Sequence, residues 1–236
     1  MYSANDLLGA VDANPVLFIA LGALAMVFNY TFFAEAIRVG RRDRVFVFPL
    51  MVSTLWFAHD LSFVLRGFEW FGTYRHWYVE LFFIALIPTT LFEMIFIRQV
   101  WLYGQDEILP RRSRRQFALF ILGAELAGLV VWFATKEVLG DPIYAFTFGG
   151  VAALAPIFAI RRMIQRNDTK GQSPLLWLSF SAMLCCWYAA VWLFFGPAFK
   201  TVPQVLLALL AIGGGLVMAR LSTRASVWTV QEAKNS

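Results

Sequence analysis

Carboxyl groups inside apolar segments are the side chains of this sequence with the clearest potential for chemistry. Asp60 lies in an apolar run, residues 48–65, whose other polar members are His59, Ser53, Thr54 and Ser62. Four more acids fall inside comparable runs, namely Glu35, Glu80, Glu93 and Glu125. A charge at the centre of a bilayer costs about 2.5–3.5 kcal/mol, so an acid at such a position is a functional-site hypothesis by default. In an apolar cavity a carboxyl group can stay protonated at neutral pH and act as a proton donor.

Neighbouring basic residues separate these acids into two groups. Glu35 lies three residues before Arg38, which predicts an ion pair near the membrane surface, and Arg98 could shield Glu93 in the same way. Asp60 has no lysine or arginine within four positions. The acids that remain as candidates to share one cavity in the outer half of the membrane are Asp60, Glu80 and Glu125. The alternative is that these carboxyl groups hydrogen-bond neighbouring helices and only hold them together.

Aromatic side chains could complete such a cavity. Trp56 lies four residues before Asp60 and shares its helix face. Further aromatic and hydroxyl groups fall in a later apolar run: Trp177, Ser179, Ser181, Trp187, Tyr188 and Trp192. Aromatic faces stabilise carbocations and quaternary cations, although an aromatic stripe is also typical of core packing. His59 and His76 are the only histidines and no glycine-rich nucleotide loop is present, so the sequence predicts no metal and no cofactor.

The elements that must position these residues are transmembrane helices. The chain has 236 residues, of which 60% are hydrophobic, whereas a soluble domain is about 45–50% apolar. A helix needs roughly 20 residues to cross a hydrocarbon core of about 30 Å. Seven apolar segments qualify: Pro15–Ile37, Val45–Leu65, Trp77–Ile97, Gln116–Phe133, Pro142–Ile160, Pro174–Phe195 and Val202–Met218. We therefore predict an all-α membrane protein, with a single domain of seven transmembrane helices over residues 1–236.

The basic residues predict the orientation of these helices. Most of the 20 lysines and arginines follow the first, third, fifth and seventh segments: Arg38, Arg41, Arg42, Arg44, Arg98, Arg111, Arg112, Arg114, Arg115, Arg161, Arg162, Arg166, Lys170, Arg220, Arg224 and Lys234. The others are Arg66, Arg75, Lys136 and Lys200. The positive-inside rule then puts the N-terminus outside and the C-terminus in the cytoplasm. The net charge of +5 reflects this topology rather than nucleic-acid binding, and a bacterial inner membrane or the endoplasmic reticulum is the expected location.

Two stretches resemble a known family of membrane enzymes. Residues 166–179 read RNDTKGQSPLLWLS, similar to a pattern close to R-N-x-T-R/K-G-x-S-x-x-L-W-L-S in the integral-membrane terpene cyclases of fungal meroterpenoid and indole-diterpene pathways, which also have bacterial relatives. The Asn29-Tyr30 pair, Pro49 and Trp56 resemble further landmarks of that family at comparable spacing. The chain length and the predicted seven-helix layout are similar as well.

The resemblance implies acid-initiated cyclisation of a lipophilic prenyl or polyene epoxide that comes from the bilayer. In the family an acid directly follows the tryptophan of the second helix. Here Phe57 holds that place, and Asp60 lies about one turn further on. The family's acid in the seventh helix is missing, and Phe180 replaces an arginine that often follows the W-L-S run. We therefore expect Asp60 to donate the proton, with Glu80 or Glu125 as the second carboxyl group.

The expected substrate-binding residues are Asn29, Tyr30, Trp56, His59, Trp177, Ser181 and Tyr188. Related chemistry is an alternative, namely hydrolysis or isomerisation of an epoxide. A seven-helix transporter or receptor could use the same acids as proton or cation sites, although no internal repeat is obvious. An accessory subunit is a third possibility, and the sequence does not indicate an oligomeric state. The connection 161–172 is predicted to be a short turn that leads to Ser173 as an N-cap and Pro174 as the first helical residue.

Overall fold

The computed structural model describes the backbone of residues 2–235 and the side chains of residues 2–223. Arg224 and Lys234, which contribute to the predicted charge asymmetry, lie outside the described side chains. The described chain contains no strand, and its main helices are α1 (Ala4–Asp12), α2 (Pro15–Asp43), α3 (Leu50–Leu65), α4 (Trp77–Tyr103), α5 (Arg114–Leu139), α6 (Ala145–Arg166), α7 (Pro174–Phe194) and α8 (Val202–Asn235). The prediction of an all-α protein is therefore confirmed.

Six of these helices are long and apolar enough to cross a membrane: α2, α4, α5, α6, α7 and the part of α8 from Val202 to Thr223. This finding indicates an integral membrane protein. Helix α3 is apolar but has only 16 residues, about 24 Å at 1.5 Å per residue. The prediction that this helix begins at Val45 is wrong, because proline disfavours helical geometry in the residue before it and Pro49 precedes the first turn.

Consecutive long helices run in opposite directions between two ends of the bundle. One end, which we call the α1 end, carries α1 and residues 66–76, 140–144 and 195–201. There the Tyr2 hydroxyl donates to Asp141 Oδ1 at 2.5 Å. The other end, called here the arginine-rich end, carries residues 44–49, 104–113 and 167–173. There the Gly171 N–H donates to Asp43 Oδ2 at 2.7 Å.

Some pairs of helices pack closely, whereas α2 and α4 are separated by a gap. Helix α7 lies along both α2 and α8, α3 lies between α4 and α5, and α6 packs against α8. Small residues bring some pairs very close: a Cβ atom on Gly215 would lie 2.3 Å from Ser181 Oγ, and one on Gly128 would lie 2.2 Å from Thr54 Cγ2. Helices α2 and α4, in contrast, pack against each other only lightly.

The predicted start of α7 is confirmed. Helix α6 ends at Arg166, followed by Asn167 in the left-handed region with φ of 52°. Ser173 Oγ accepts the Leu176 N–H at 3.1 Å and donates to Glu35 Oε1 at 2.6 Å. Glu35 also forms the predicted ion pair with Arg38, with two N–O distances of 2.6 Å. The carboxylate of Glu35 therefore joins α2 to the start of α7 and has a structural role.

A buried arginine joins α6 to the connection that precedes α3. The Arg162 Nη1 group donates to the carbonyl oxygens of Phe46 and Val47, and its Nε donates to Glu107 Oε1 at 2.9 Å. The guanidinium carbon lies 3.3 Å from the centroid of the Phe46 ring. The side chain of Arg162 is only 7% exposed. Arg166 adds a second ion pair to Glu107, so two arginines hold one carboxylate at the arginine-rich end.

Candidate functional site

An elongated cavity of about 520 Å³ lies between α2, α3, α4, α6 and α7. Along α4 it extends from Trp77 to Glu93, sixteen residues of helix and therefore about 24 Å at 1.5 Å per residue. Its walls are mostly apolar and rich in aromatic rings, including Trp56, Phe148 and Trp187. Ligand pockets commonly have volumes of about 300–1,000 Å³, so the cavity is large enough for a lipophilic small molecule.

The cavity opens sideways between α2 and α4. Ile19 on α2, and Leu81 and Ile84 on α4, line the cavity, yet they are 45%, 51% and 56% exposed on the outside of the bundle. The Tyr30 hydroxyl crosses this gap and donates to the carbonyl oxygen of Ala85 at 3.1 Å. These residues place an opening of the cavity on the apolar outer surface of the bundle, between α2 and α4.

Asp60 lies in the wall of the cavity, beside Thr89 of α4, and both of its oxygen atoms have a partner. It is 6% exposed, its Oδ1 is 2.6 Å from His59 Nδ1, and its Oδ2 is 2.5 Å from Thr89 Oγ1. The Thr89 oxygen is also 2.8 Å from the carbonyl oxygen of Leu86. A hydroxyl group has one proton and two acceptor sites. Thr89 can donate to an ionised Asp60, or accept from a protonated Asp60 while it donates to Leu86. Both protonation states of Asp60 are therefore hydrogen-bonded.

His59 reaches Asp60 although the two residues are adjacent on α3. Its ring lies 4.9 Å from Trp132, 5.5 Å from Tyr144 and 5.7 Å from Phe148, measured between centroids. Among the side chains that the structure describes, none hydrogen-bonds the buried His59 Nε2. His59 also lines the cavity. Adjacent residues of a helix point about 100° apart, but the imidazole of His59 is turned so that its Nδ1 reaches the carboxyl group of Asp60.

Glu93 is a second acid of the cavity, although the sequence did not predict it there. It lines the same space as Asp60, is 2% exposed, and lies one turn after Thr89 on α4. The expected shielding by Arg98 is wrong, because within residues 2–223 the buried Glu93 Oε2 has no hydrogen-bond partner. Asp60 and Glu125 are close enough to interact with it electrostatically. The signal in the sequence was the spacing of Leu86, Thr89, Glu93, Phe96 and Val100, which recurs every three or four residues and marks the buried face of α4.

The two acids expected to accompany Asp60 do not line the cavity. Glu80 lies in the first turn of α4, where it is half-buried. Glu125 is buried between α5 and α3, where its Oε1 accepts the hydroxyl proton of Thr54 at 2.9 Å. Neither residue is among those that line the cavity, whereas Glu93 lines the same space as Asp60.

Some of the expected binding residues line the cavity and others do not. Asn29, Tyr30, Trp56 and His59 line the cavity. Three residues of α7 lie outside it: Trp177, Ser181 and Tyr188. Trp177 Nε1 donates to Gln172 at 2.7 Å, Ser181 donates to the Ile212 carbonyl at 3.1 Å, and Tyr188 packs on Gly149. The cavity face of α7 instead carries Phe180, Met183, Trp187 and Ala190. The predicted residues Ser181 and Tyr188 lie on the neighbouring face of the same helix.

A polar contact joins α1 to the part of the cavity wall that Trp77 forms. Trp77 lines the cavity, and its Nε1 donates to Asp12 Oδ1 at 2.7 Å. His76 Nε2 lies 3.1 Å from the same oxygen. The hydrogen bond from Trp77, together with the nearby His76 ring, holds the pKa of the Asp12 carboxyl group below its ordinary value. The end of α1 is thereby joined to the start of α4.

No match to known proteins bears on this site. No protein-family model matches the chain, and neither a curated protein nor a solved structure matches it. In the part of the chain with described side chains, no group of three or more histidine, cysteine, aspartate or glutamate residues could hold a metal ion.

Proposed function

We propose that the protein is a membrane-embedded cyclase that opens a lipophilic prenyl epoxide by protonation. The observation that carries this proposal is the position of Asp60, an acid with hydrogen bonds for both protonation states in the wall of an aromatic cavity whose opening lies between the apolar outer faces of α2 and α4. The motifs that resemble terpene cyclases support the same reaction. The acid of that family is shifted here by about one turn, from the position of Phe57 to Asp60.

In the proposed reaction, protonated Asp60 gives its proton to the epoxide oxygen. The carbon–oxygen bond breaks, the oxygen becomes a hydroxyl group, and positive charge develops on the substituted carbon. The π electrons of a neighbouring double bond then attack this carbon, and the ring faces of Trp56 and Phe148 stabilise the charge as it moves. A carbon-bound proton finally leaves to Glu93, the second carboxyl group in the cavity. One proton is gained and one is lost, so the product is an isomer of the substrate.

The test is a mass balance on intact membranes that contain the protein. We expect epoxides of prenylated phenols, supplied in the lipid phase, to give products of unchanged mass in which a hydroxyl group and a new carbon ring replace the epoxide. A product heavier by one molecule of water would identify an epoxide hydrolase instead. Accumulation of unchanged substrate inside vesicles, driven by a proton gradient, would identify a transporter. Failure of every epoxide in the panel to react would contradict the cyclase.

We further propose seven transmembrane helices, with α3 as the short one, an external N-terminus and a cytoplasmic C-terminus, in a bacterial inner membrane or the endoplasmic reticulum. The arginine-rich end then faces the cytoplasm. A phosphatase that is active only outside the cytoplasm should be inactive when fused after Ser236 and active when fused after Leu139. Activity of the fusion after Ser236 would refute this orientation and the outer position of the α1 end.

A further inference from the structure

The cavity contains acids without basic residues to balance them. Asp60 and Glu93 both line it, and none of its described lining residues is a lysine or an arginine. His59 is the one basic side chain in its wall, and its Nδ1 already lies 2.6 Å from Asp60. A carboxylate removed from water needs a partner, because burying an unpaired charge is very unfavourable. Glu93 Oε2 lacks such a partner among the side chains of residues 2–223.

Asp60 and Glu93 differ in the number of their oxygen atoms that have a hydrogen-bond partner. Asp60 has His59 on one oxygen and Thr89 on the other. Glu93 is 2% exposed, and in the described part of the chain its Oε2 has no hydrogen-bond partner. Buried polar atoms in folded proteins are nearly always satisfied, so an orphaned one needs an explanation. A ligand with positive charge would supply the missing interaction at Glu93.

Aromatic rings lie at the level of Glu93 on the facing helices. The Phe33 ring of α2 lies 5.8 Å from Phe92 and 5.3 Å from Phe96, the residues on either side of Glu93 along α4. Its centroid is also 6.1 Å from that of Trp56, and both Phe33 and Trp56 line the cavity. Aromatic faces attract quaternary ammonium groups, and this attraction strengthens in a desolvated site.

We propose that the cavity binds lipophilic ammonium ions, with Glu93 as the counter-ion. The ammonium head lies between Glu93 and the rings of Phe33 and Trp56. The alkyl chain follows the apolar wall towards Trp77, about 24 Å away along α4, and it reaches this position through the opening between α2 and α4. This binding does not depend on the proposed cyclisation, because it requires only the cavity, the unpaired acid and the aromatic rings.

The test compares a cation with an uncharged analogue of the same chain length. The full-length protein is placed in nanodiscs of phosphatidylcholine, and binding of radiolabelled decyltrimethylammonium and decanol is measured above that of empty nanodiscs. We expect saturable binding of the ammonium ion, tighter than that of decanol. Glu93→Gln should weaken ammonium binding at least about tenfold, since it removes a charge pair in a medium of low dielectric constant, and should leave decanol binding unchanged.

Glu80→Gln is the matched control, because it removes a half-buried carboxyl group from the same helix outside the cavity. It should bind both probes like the original protein. Equal affinity of the original protein for the two probes would overturn the proposal without any variant, even if Glu93→Gln does not fold. Full ammonium affinity in a folded Glu93→Gln protein would overturn it too. Because no product is measured, an absence of cyclase activity has no influence on this result.

Discussion

Asp60→Asn should lower the rate of epoxide cyclisation by about 10²–10⁴-fold, the usual contribution of a general acid. Asparagine has nearly the same shape as aspartic acid and can keep hydrogen bonds to His59 and Thr89. Its amide cannot give a proton to an epoxide oxygen at neutral pH. The measurement is the initial rate of product formation in membranes, normalised to the amount of folded protein.

Glu80→Gln is the control for this experiment as well. It makes the same chemical change on α4, at a half-buried position outside the cavity, and should leave the rate within about twofold of the original, which is small beside the contribution of a general acid. The thermal unfolding of both variants should resemble that of the original protein. An Asp60→Asn protein with near-full activity would show that the proton comes from another group.

Arg162→Leu should lower the free energy of unfolding by about 2–4 kcal/mol. It removes hydrogen bonds to the carbonyl oxygens of Phe46 and Val47 and an ion pair with Glu107. These carbonyl groups belong to a connection without helical hydrogen bonds of its own, so their loss leaves buried acceptors unsatisfied. The measurement is equilibrium unfolding in detergent.

The neighbouring Arg161 offers a matched control. It is exposed, so Arg161→Leu should change the free energy of unfolding by no more than about 0.5 kcal/mol, as is usual at the surface. Equal effects of the two substitutions would mean that the loss of positive charge matters, rather than the buried contacts of Arg162. Arg166 still pairs with Glu107 in both variants, so that carboxylate does not become unpaired.

Local features of this protein could be predicted from the sequence alone. A backbone in lipid must satisfy its own hydrogen bonds, so long apolar runs become helices whatever their neighbours are. Ser173 and Pro174 start α7 because an N-cap hydroxyl and a proline at the first helical position act within one turn. The pair between Glu35 and Arg38 also spans one turn. Asp60 stood out as an acid in an apolar run without a basic neighbour.

The boundaries of α3 depended on contacts outside the run itself. Val45–Leu65 reads as one apolar segment, yet its first residues form an irregular connection that is held by Arg162 of α6. Apolar composition cannot separate a helical turn in lipid from a buried loop against another helix, because both environments exclude water. Only the packed structure shows that Phe46, Val47 and Phe48 are buried by protein.

The faces of the helices were decided only by the tertiary structure. In a soluble helix, polar residues mark the side that faces water, but here lipid and protein interior are both apolar, so the periodic signal that orients a helix is weak. A rotation of α7 by one residue, about 100°, exchanges Ser181 and Tyr188 for Phe180 and Trp187 as cavity residues. Because of the same uncertainty, the sequence favoured Glu80 and Glu125 as cavity acids over Glu93, which has Arg98 five residues further on. The packing of α4 against α3 places Thr89 within hydrogen-bond distance of Asp60. Glu93, one turn further along the same face of α4, then lines the cavity.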